Sequence, residues 1–170
     1  MFTHVAFLRG MNLGRRRITN PELVAAFDAI GIPGAVAFQA SGNVLFSSGM
    51  GGEQIASGLG PELGYPVPTF VRTAEDVRTL AAIEPFGPAV EPRGKLQVTL
   101  LAEAPGADAI AAAEALDGGE DRVRVIGREW FWWPSGGVSE SDLDVRAIEA
   151  ALGTGTTRTQ ATLQRIAKKL

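Results

Sequence analysis

Near its amino terminus the chain reads LRGMNLGRRR (residues 8–17), which sets Arg9, Arg15, Arg16 and Arg17 around Gly10, Asn12 and Gly14. A guanidinium offers a planar fork of donors that fits phosphate or carboxylate. Glycine lets the backbone approach a ligand closely or take a positive φ. Further along, SGN (Ser41, Gly42, Asn43) adds a hydroxyl, a second flexible point and an amide. Together these residue types suit holding a small anion better than moving protons.

The residues that ordinarily carry acid–base, thiol or metal chemistry are scarce. The chain has no cysteine, so it has no thiolate, no disulfide and no cysteine zinc site. Its one histidine, His4, sits in an apolar run and reads as a packed strand residue. Zinc sites without cysteine need several histidines, so neither a metal nor a cofactor is expected. Ser41 would need an activating base to act as a nucleophile, and none is visible beside it. Catalysis, if present, is left to electrostatic stabilisation by Arg9 and backbone N–H groups. A binding module for a phosphate- or carboxylate-bearing ligand is the leading reading, and an enzyme of that electrostatic kind is the alternative. Nucleic-acid binding is the third reading, disfavoured by a pI near 5.2.

The net charge of −3 conceals a segregation of charge. Residues 9–17 and 156–170 each carry four cations and no acid, the second set being Arg158, Arg165, Lys168 and Lys169. Eight other cations face all 19 acids, so the remainder sums to −11. Local positive fields on an acidic body are expected.

What positions these residues follows from the pattern of elements. HVAFL (4–8) reads as a buried strand. NPELVAAFDAIG reads as a helix with Asn20 as N-cap, Pro21 at its first position and Gly31 at its stop. AVAFQ and NVLFS form a hairpin, EQIASGLG a weaker helix, and PVPTFVR a strand whose prolines suit an edge. Thr73 and Asp76 then cap a further helix. PFGPAVEPRG (85–94) reads as a linker. Beyond it lie the strand KLQVTLL, an alanine-rich helix, and a hairpin of DRVRVI with EWFWW turning at Gly127–Arg128. A helix introduced by Ser141 and Asp144 and a final helix, TQATLQRIAKKL, complete the chain, with no obvious fourth strand in this half.

The first half spells β-α-β-β-α-β and the second opens β-α-β-β-α, so the element order repeats although the sequences do not. The expected architecture is α+β, with two tandem ferredoxin-like units (1–84 and 85–170). Each is an antiparallel sheet with helices on one face, and the second ends in an extra helix. In that arrangement the end of strand one, the SGN turn and the mouth of the first helix share one edge. Arg9, Gly10, Asn12, Gly14, Ser41, Gly42 and Asn43 then converge, and the open amino end of the helix adds donors. In REWFWWP, alternation sets Trp130 and Trp132 on one face and Phe131 and Trp133 on the other. One face is expected to be core, and the other either an inter-unit contact or a stacking platform.

LRGMNLG (8–14), QASGN (39–43) and GTGTTRTQATL (153–163) together resemble an uncharacterised bacterial family, domain of unknown function 1697. The resemblance spans nearly the whole chain. It implies tandem ferredoxin-like architecture, with no established activity and no assigned catalytic residue. Its recurrent polar positions fall on Arg9, Asn12, Ser41, Asn43 and Arg158, which adds Arg158 to the candidates. Where that family tends to have Asn-Trp-Asn after this arginine, the chain has Thr159, Gln160 and Ala161. The amino terminus lacks the features of a secretory signal, and no apolar run approaches the ~18 residues of a membrane span. The expectation is a cytoplasmic protein without a membrane partner; its oligomeric state is not readable.

Overall fold

An uninterrupted apolar run prefers a place where both faces are covered, and His4–Leu8 (β1) takes that place at the centre of a sheet. The computed structural model describes residues 1–11, 17–39, 42–87, 94–117 and 121–170. They divide into two units, Met1–Thr79 with Ile166–Leu170, and Leu80–Arg165. The fold is mixed α+β, with eight strands in two four-stranded antiparallel sheets and six α-helices among the described residues.

In the first unit β1 is followed by α1 (Asn20–Ala29), β2 (Val36–Phe38), β3 (Asn43–Phe46), α2 (Gly52–Leu63) and β4 (Thr69–Thr73). The sheet order is β2-β3-β1-β4, so β3 is inserted between the two strands that α1 connects. Leu23, Ala26 and Phe27 of α1 and Ile55 and Leu59 of α2 pack on Ala6, Leu8, Val44 and Phe46. Val5 and Phe7, on the other face of β1, are equally buried. Each such side chain contributes about 1.5–3 kcal/mol through burial.

Local chemistry sets the helix ends. α1 is capped by Thr19, one residue before the expected Asn20. The Thr19 hydroxyl accepts from the Glu22 N–H, and the Glu22 carboxylate accepts from the Thr19 N–H at 2.7 Å. Glycines fix how closely α2 sits. A Cβ on Gly58 would lie 2.8 Å from the Ile30 methyl Cγ2, and one on Gly52 would lie 2.2 Å from the Thr69 carbonyl oxygen. Gly58 therefore marks a close helix contact, although it weakens the helical pattern in the sequence.

α3 (Ala74–Ala82) carries the expected box: the Thr73 N–H donates to Asp76 and the Asp76 N–H donates to the Thr73 hydroxyl, each at 3.1 Å. The second unit continues with β5 (Gln97–Leu101), α4 (Ala107–Glu114), β6 (Arg122–Ile126), β7 (Glu129–Trp133), α5 (Val145–Leu152), β8 (Gly155–Thr159) and α6 (Gln160–Ala167). Its order, β6-β7-β5-β8, repeats that of the first sheet. Trp130 and Trp132 pack with Val123, Val125, Ile148 and Leu152 and so form its core.

β8 corrects the expectation of a half lacking its fourth strand. GTTRT carries no apolar residue, yet it pairs along β5 from Gln97–Thr159 to Leu101–Gly155. The Thr99 and Thr157 hydroxyls meet across the pair at 2.7 Å, which satisfies the buried Thr99.

The repeat extends to individual bonds. The Leu8 N–H donates to the Gly42 carbonyl at 2.8 Å, and the Leu101 N–H to the Arg128 carbonyl at 2.9 Å. The Ala74 N–H donates to Thr3 O at 2.8 Å, and the Gln160 N–H to Leu96 O at 2.9 Å. Arg72 lies opposite Val5 as Arg158 lies opposite Val98, and each guanidinium donates to the carbonyl of the residue before it. Among the described residues no helix is long and apolar enough to cross a membrane.

Backbone contact at Gly52 makes it intolerant of any side chain. Gly52→Ala is expected to cost about 1–3 kcal/mol in urea unfolding. Gly49→Ala, with open space around it, is expected to be neutral or slightly stabilising.

Candidate functional site

β1 ends at Leu8, and the next three residues are held from two sides. The Arg9 N–H donates to the Pro68 carbonyl at 2.9 Å, while Leu8 is bonded to Gly42. Gly10 and Gly42 are both left-handed, with φ of 76° and 69°. A Cβ on Gly42 would lie 2.7 Å from Met11 Cγ and 3.2 Å from Leu8 Cβ, so the hairpin turn rests directly on the chain leaving β1. Arg9, Gly10, Gly42 and Asn43 are thus gathered at one sheet edge. Asn12, Gly14 and Ser41 lie outside the described residues.

Two parts of that edge serve the fold. Asn43 is fully buried, and its Nδ2 donates to the Phe38 carbonyl at 3.2 Å, closing the hairpin beside Gln39, whose φ is 59°. The mouth of α1 is not the open donor set expected from the sequence, because Thr19 and Glu22 occupy it. Hydrogen bonds from the Thr19 backbone and hydroxyl hold the Glu22 carboxyl below its ordinary value, so the helix already has its own anion.

Arg158 belongs to the second unit, on β8. Its Nη1 donates to the Thr156 hydroxyl at 2.9 Å and to the Thr157 carbonyl at 2.8 Å, and burial pulls its pKa down to about 10. Arg72, its counterpart on β4, is only 1% exposed. The sequence reading passed over Arg72 because it follows an apolar run. The shared Arg-Thr step before α3 and α6 was the available signal.

The second unit has a further polar centre in Asp121. Its carboxylate accepts from the Ser135 N–H at 2.6 Å and from the Ser141 hydroxyl. Ser141 was expected to start α5, but the Asp144 carboxylate caps that helix through the Ala147 N–H at 3.0 Å. Burial acts to raise the Asp121 pKa, and the bonds from Ser141 and Ser135 outweigh it, leaving a net lowering. Asp121 fastens the chain between β7 and α5 and offers no site. Among the described residues, no three His, Cys, Asp or Glu side chains are placed to hold a metal ion.

A concave site sequence reading missed lies in the second unit, lined by Phe86, Lys95, Leu96, Trp133, Gln160 and Gln164 among others. The stretch read as a linker supplies part of it, since Phe86 and Gly94 stand at either end of that stretch. The signals available were Trp133 in the aromatic strand and the departure at Thr159, Gln160 and Ala161, all of which line the cavity.

Comparisons bear on this geometry. The sequence model of one family, described as "Protein of unknown function (DUF1697)", matches residues 1–131. The match ends within β7, so GTGTTRTQATL lies beyond it. No curated protein matches the chain. The structure of the conserved bacterial protein SP0830 from Streptococcus pneumoniae is similar, with a TM-score of 0.69 and 20% identity, covering 100% of this chain and 99% of that one. At that identity the likeness is one of fold.

The Asp121 latch has a defined pH dependence. A carboxyl whose folded pKa lies below its ordinary value of 3.8 stabilises the fold fully above that value and loses the contribution as pH falls through the folded pKa. Asp121→Asn is expected to cost about 1–3 kcal/mol at neutral pH. Urea unfolding should also show the wild type losing more stability on acidification than the variant.

Proposed function

We propose a small-anion binding role for the first unit of this chain, which belongs to the DUF1697 family of proteins of unknown function. The ligand carries a phosphate or carboxylate and sits where the end of β1 meets the hairpin. Arg9 supplies charge, and left-handed Gly10 and Gly42 shape the two turns beside it. Asn12, Gly14 and Ser41 are kept as candidates from the sequence alone, and Asn43 acts by holding the turn. Arg158 is retained as a second cationic position, in the second unit.

The observation that carries this reading is the Leu8–Gly42 bond between two left-handed glycine turns distant in sequence. It supports the reading because Arg9 directly follows Leu8 in the chain, and turns of this kind are what anion sites built from backbone amides use. We take each unit to be ferredoxin-like, on the strength of the inserted third strand and the repeated order. A cytoplasmic location belongs to the same proposal.

Isothermal titration with nucleotides, phosphorylated metabolites and dicarboxylates tests it. A charge-assisted bond is worth about 1.5–3 kcal/mol, so Arg9→Ala should weaken binding about 10- to 100-fold, with partial recovery in Arg9→Lys. No binding to the wild type, or unchanged binding in Arg9→Ala, refutes it. Turnover of a bound ligand that disappears in Arg9→Ala would move the reading from binding to electrostatic catalysis.

A further inference from the structure

We propose that the cavity of the second unit binds a flat, uncharged heteroaromatic molecule with hydrogen-bond donors on its edge, of the nucleobase or nucleoside class. The cavity measures about 440 Å³, within the ~300–1,000 Å³ that small-molecule sites occupy. Its walls come from residues 83–87 after α3, residues 94–96 before β5, the end of β7 and the start of α6, all in one unit.

One wall is aromatic and fixed. The rings of Phe86 and Trp133 are 6.0 Å apart at 47°, and both are half-buried. The Trp133 indole N–H donates to the Gly94 carbonyl at 3.0 Å, so the polar edge of the ring is used and its π-surface is what the indole has left to offer. Gly94 is itself pinned, since a Cβ there would lie 2.3 Å from the Gly136 carbonyl oxygen. An indole anchored this way is a preformed stacking surface, and stacking a base on an aromatic side chain is worth about 1–3 kcal/mol.

Another part of the lining selects donors. Gln160 and Gln164 stand one turn apart on α6, and their Nε2 groups donate to the backbone carbonyls of Ile83 at 2.6 Å and Ala81 at 3.3 Å. A carbonyl can only accept, so these bonds fix which end of each amide is nitrogen. Each Oε1 is left as an acceptor on a cavity-lining side chain. Glu84 adds an acid and Lys95 a cation, giving no net preference for charge. Amide acceptors and an aromatic surface lining one cavity fit a ring bearing amino or ring N–H groups. This differs from the Arg9 edge in both place and chemistry.

The test uses the full chain, tryptophan fluorescence and calorimetry. The probes are adenosine, guanosine and cytidine, with caffeine as a flat control that has no edge donor. Trp130 and Trp132 are buried in the core, so quenching reports on Trp133. At least one amino nucleoside should quench saturably, with caffeine about tenfold weaker or more. Gln164→Leu and Ala161→Phe both change exposed residues of α6, so the fold should tolerate them. The first removes an acceptor and the second fills the cavity, and each should weaken binding about tenfold or more. Arg9→Ala should leave it unchanged. Absence of saturable binding by all three nucleosides, caffeine binding as tightly, indifference to both α6 variants, or loss in Arg9→Ala would each overturn the assignment. A failure at Arg9 in the phosphate titration leaves this cavity untouched, so the two proposals stand or fall separately.

Discussion

In each unit the third strand is inserted between the first and second, and this forces the last amide of the central strand to find a partner in the hairpin turn. The Leu8 N–H meets Gly42 O, and the Leu101 N–H meets Arg128 O. An unpaired buried amide costs about 1–3 kcal/mol, so the height of the turn is set by that bond. A second bond works at the far end of the sheet, where the first amide of the trailing helix reaches back to the residue before the central strand: Ala74 to Thr3 and Gln160 to Leu96. These two connections help to place what stands at either end of each sheet.

The two units keep the connections and differ in what they hang on them. At the hairpin end, the central strand of the first unit runs into Arg9 and Gly10, whereas that of the second runs into Ala102 and Glu103. At the other end the inequality reverses. His4 pairs with Phe46 as Gln97 pairs with Trp132, so Ser47 and Trp133 occupy matching positions. Ala74 likewise matches Gln160. The first unit has a small polar residue and a methyl where the second has an indole and an amide, and the cavity is found in the second. A repeated scaffold that keeps these two backbone bonds leaves most side chains at the sheet ends free to diverge.

What the sequence revealed follows the same division between backbone rule and side-chain detail. Elements announced by apolar pattern or by caps were legible: β1, both hairpins, the edge strand after Pro66 and Pro68, and the Thr73–Asp76 box. The meeting of the end of β1 with the Gly42 turn was legible too, because topology alone dictates it. β8 was hidden because its hydroxyls and glycine replace the apolar signal; a Cβ on Gly155 would lie 2.5 Å from Leu100 O. Thr19 was passed over for Asn20 although Glu22 stands three residues after it, the spacing a reciprocal cap needs. The burial of Asn43, the cavity beside a stretch that reads as connection, and the closure of the α1 mouth depend on distances that no one-dimensional pattern carries.

That closure changes the physics of the hairpin edge. With Glu22 seated on the α1 amino end, the helix dipole is already answered, so the anion binding proposed here would rest on Arg9 and the amides of the turns. Affinity built on so few charges, within a chain that is otherwise acidic, falls as salt rises. The binding proposed for the cavity of the second unit would rest on stacking and neutral amide acceptors, with Glu84 and Lys95 opposing each other in charge, and should be nearly indifferent to salt. Ionic strength therefore separates the two ends of the repeated scaffold by mechanism, since one depends on a field and the other on shape and hydrogen-bond matching.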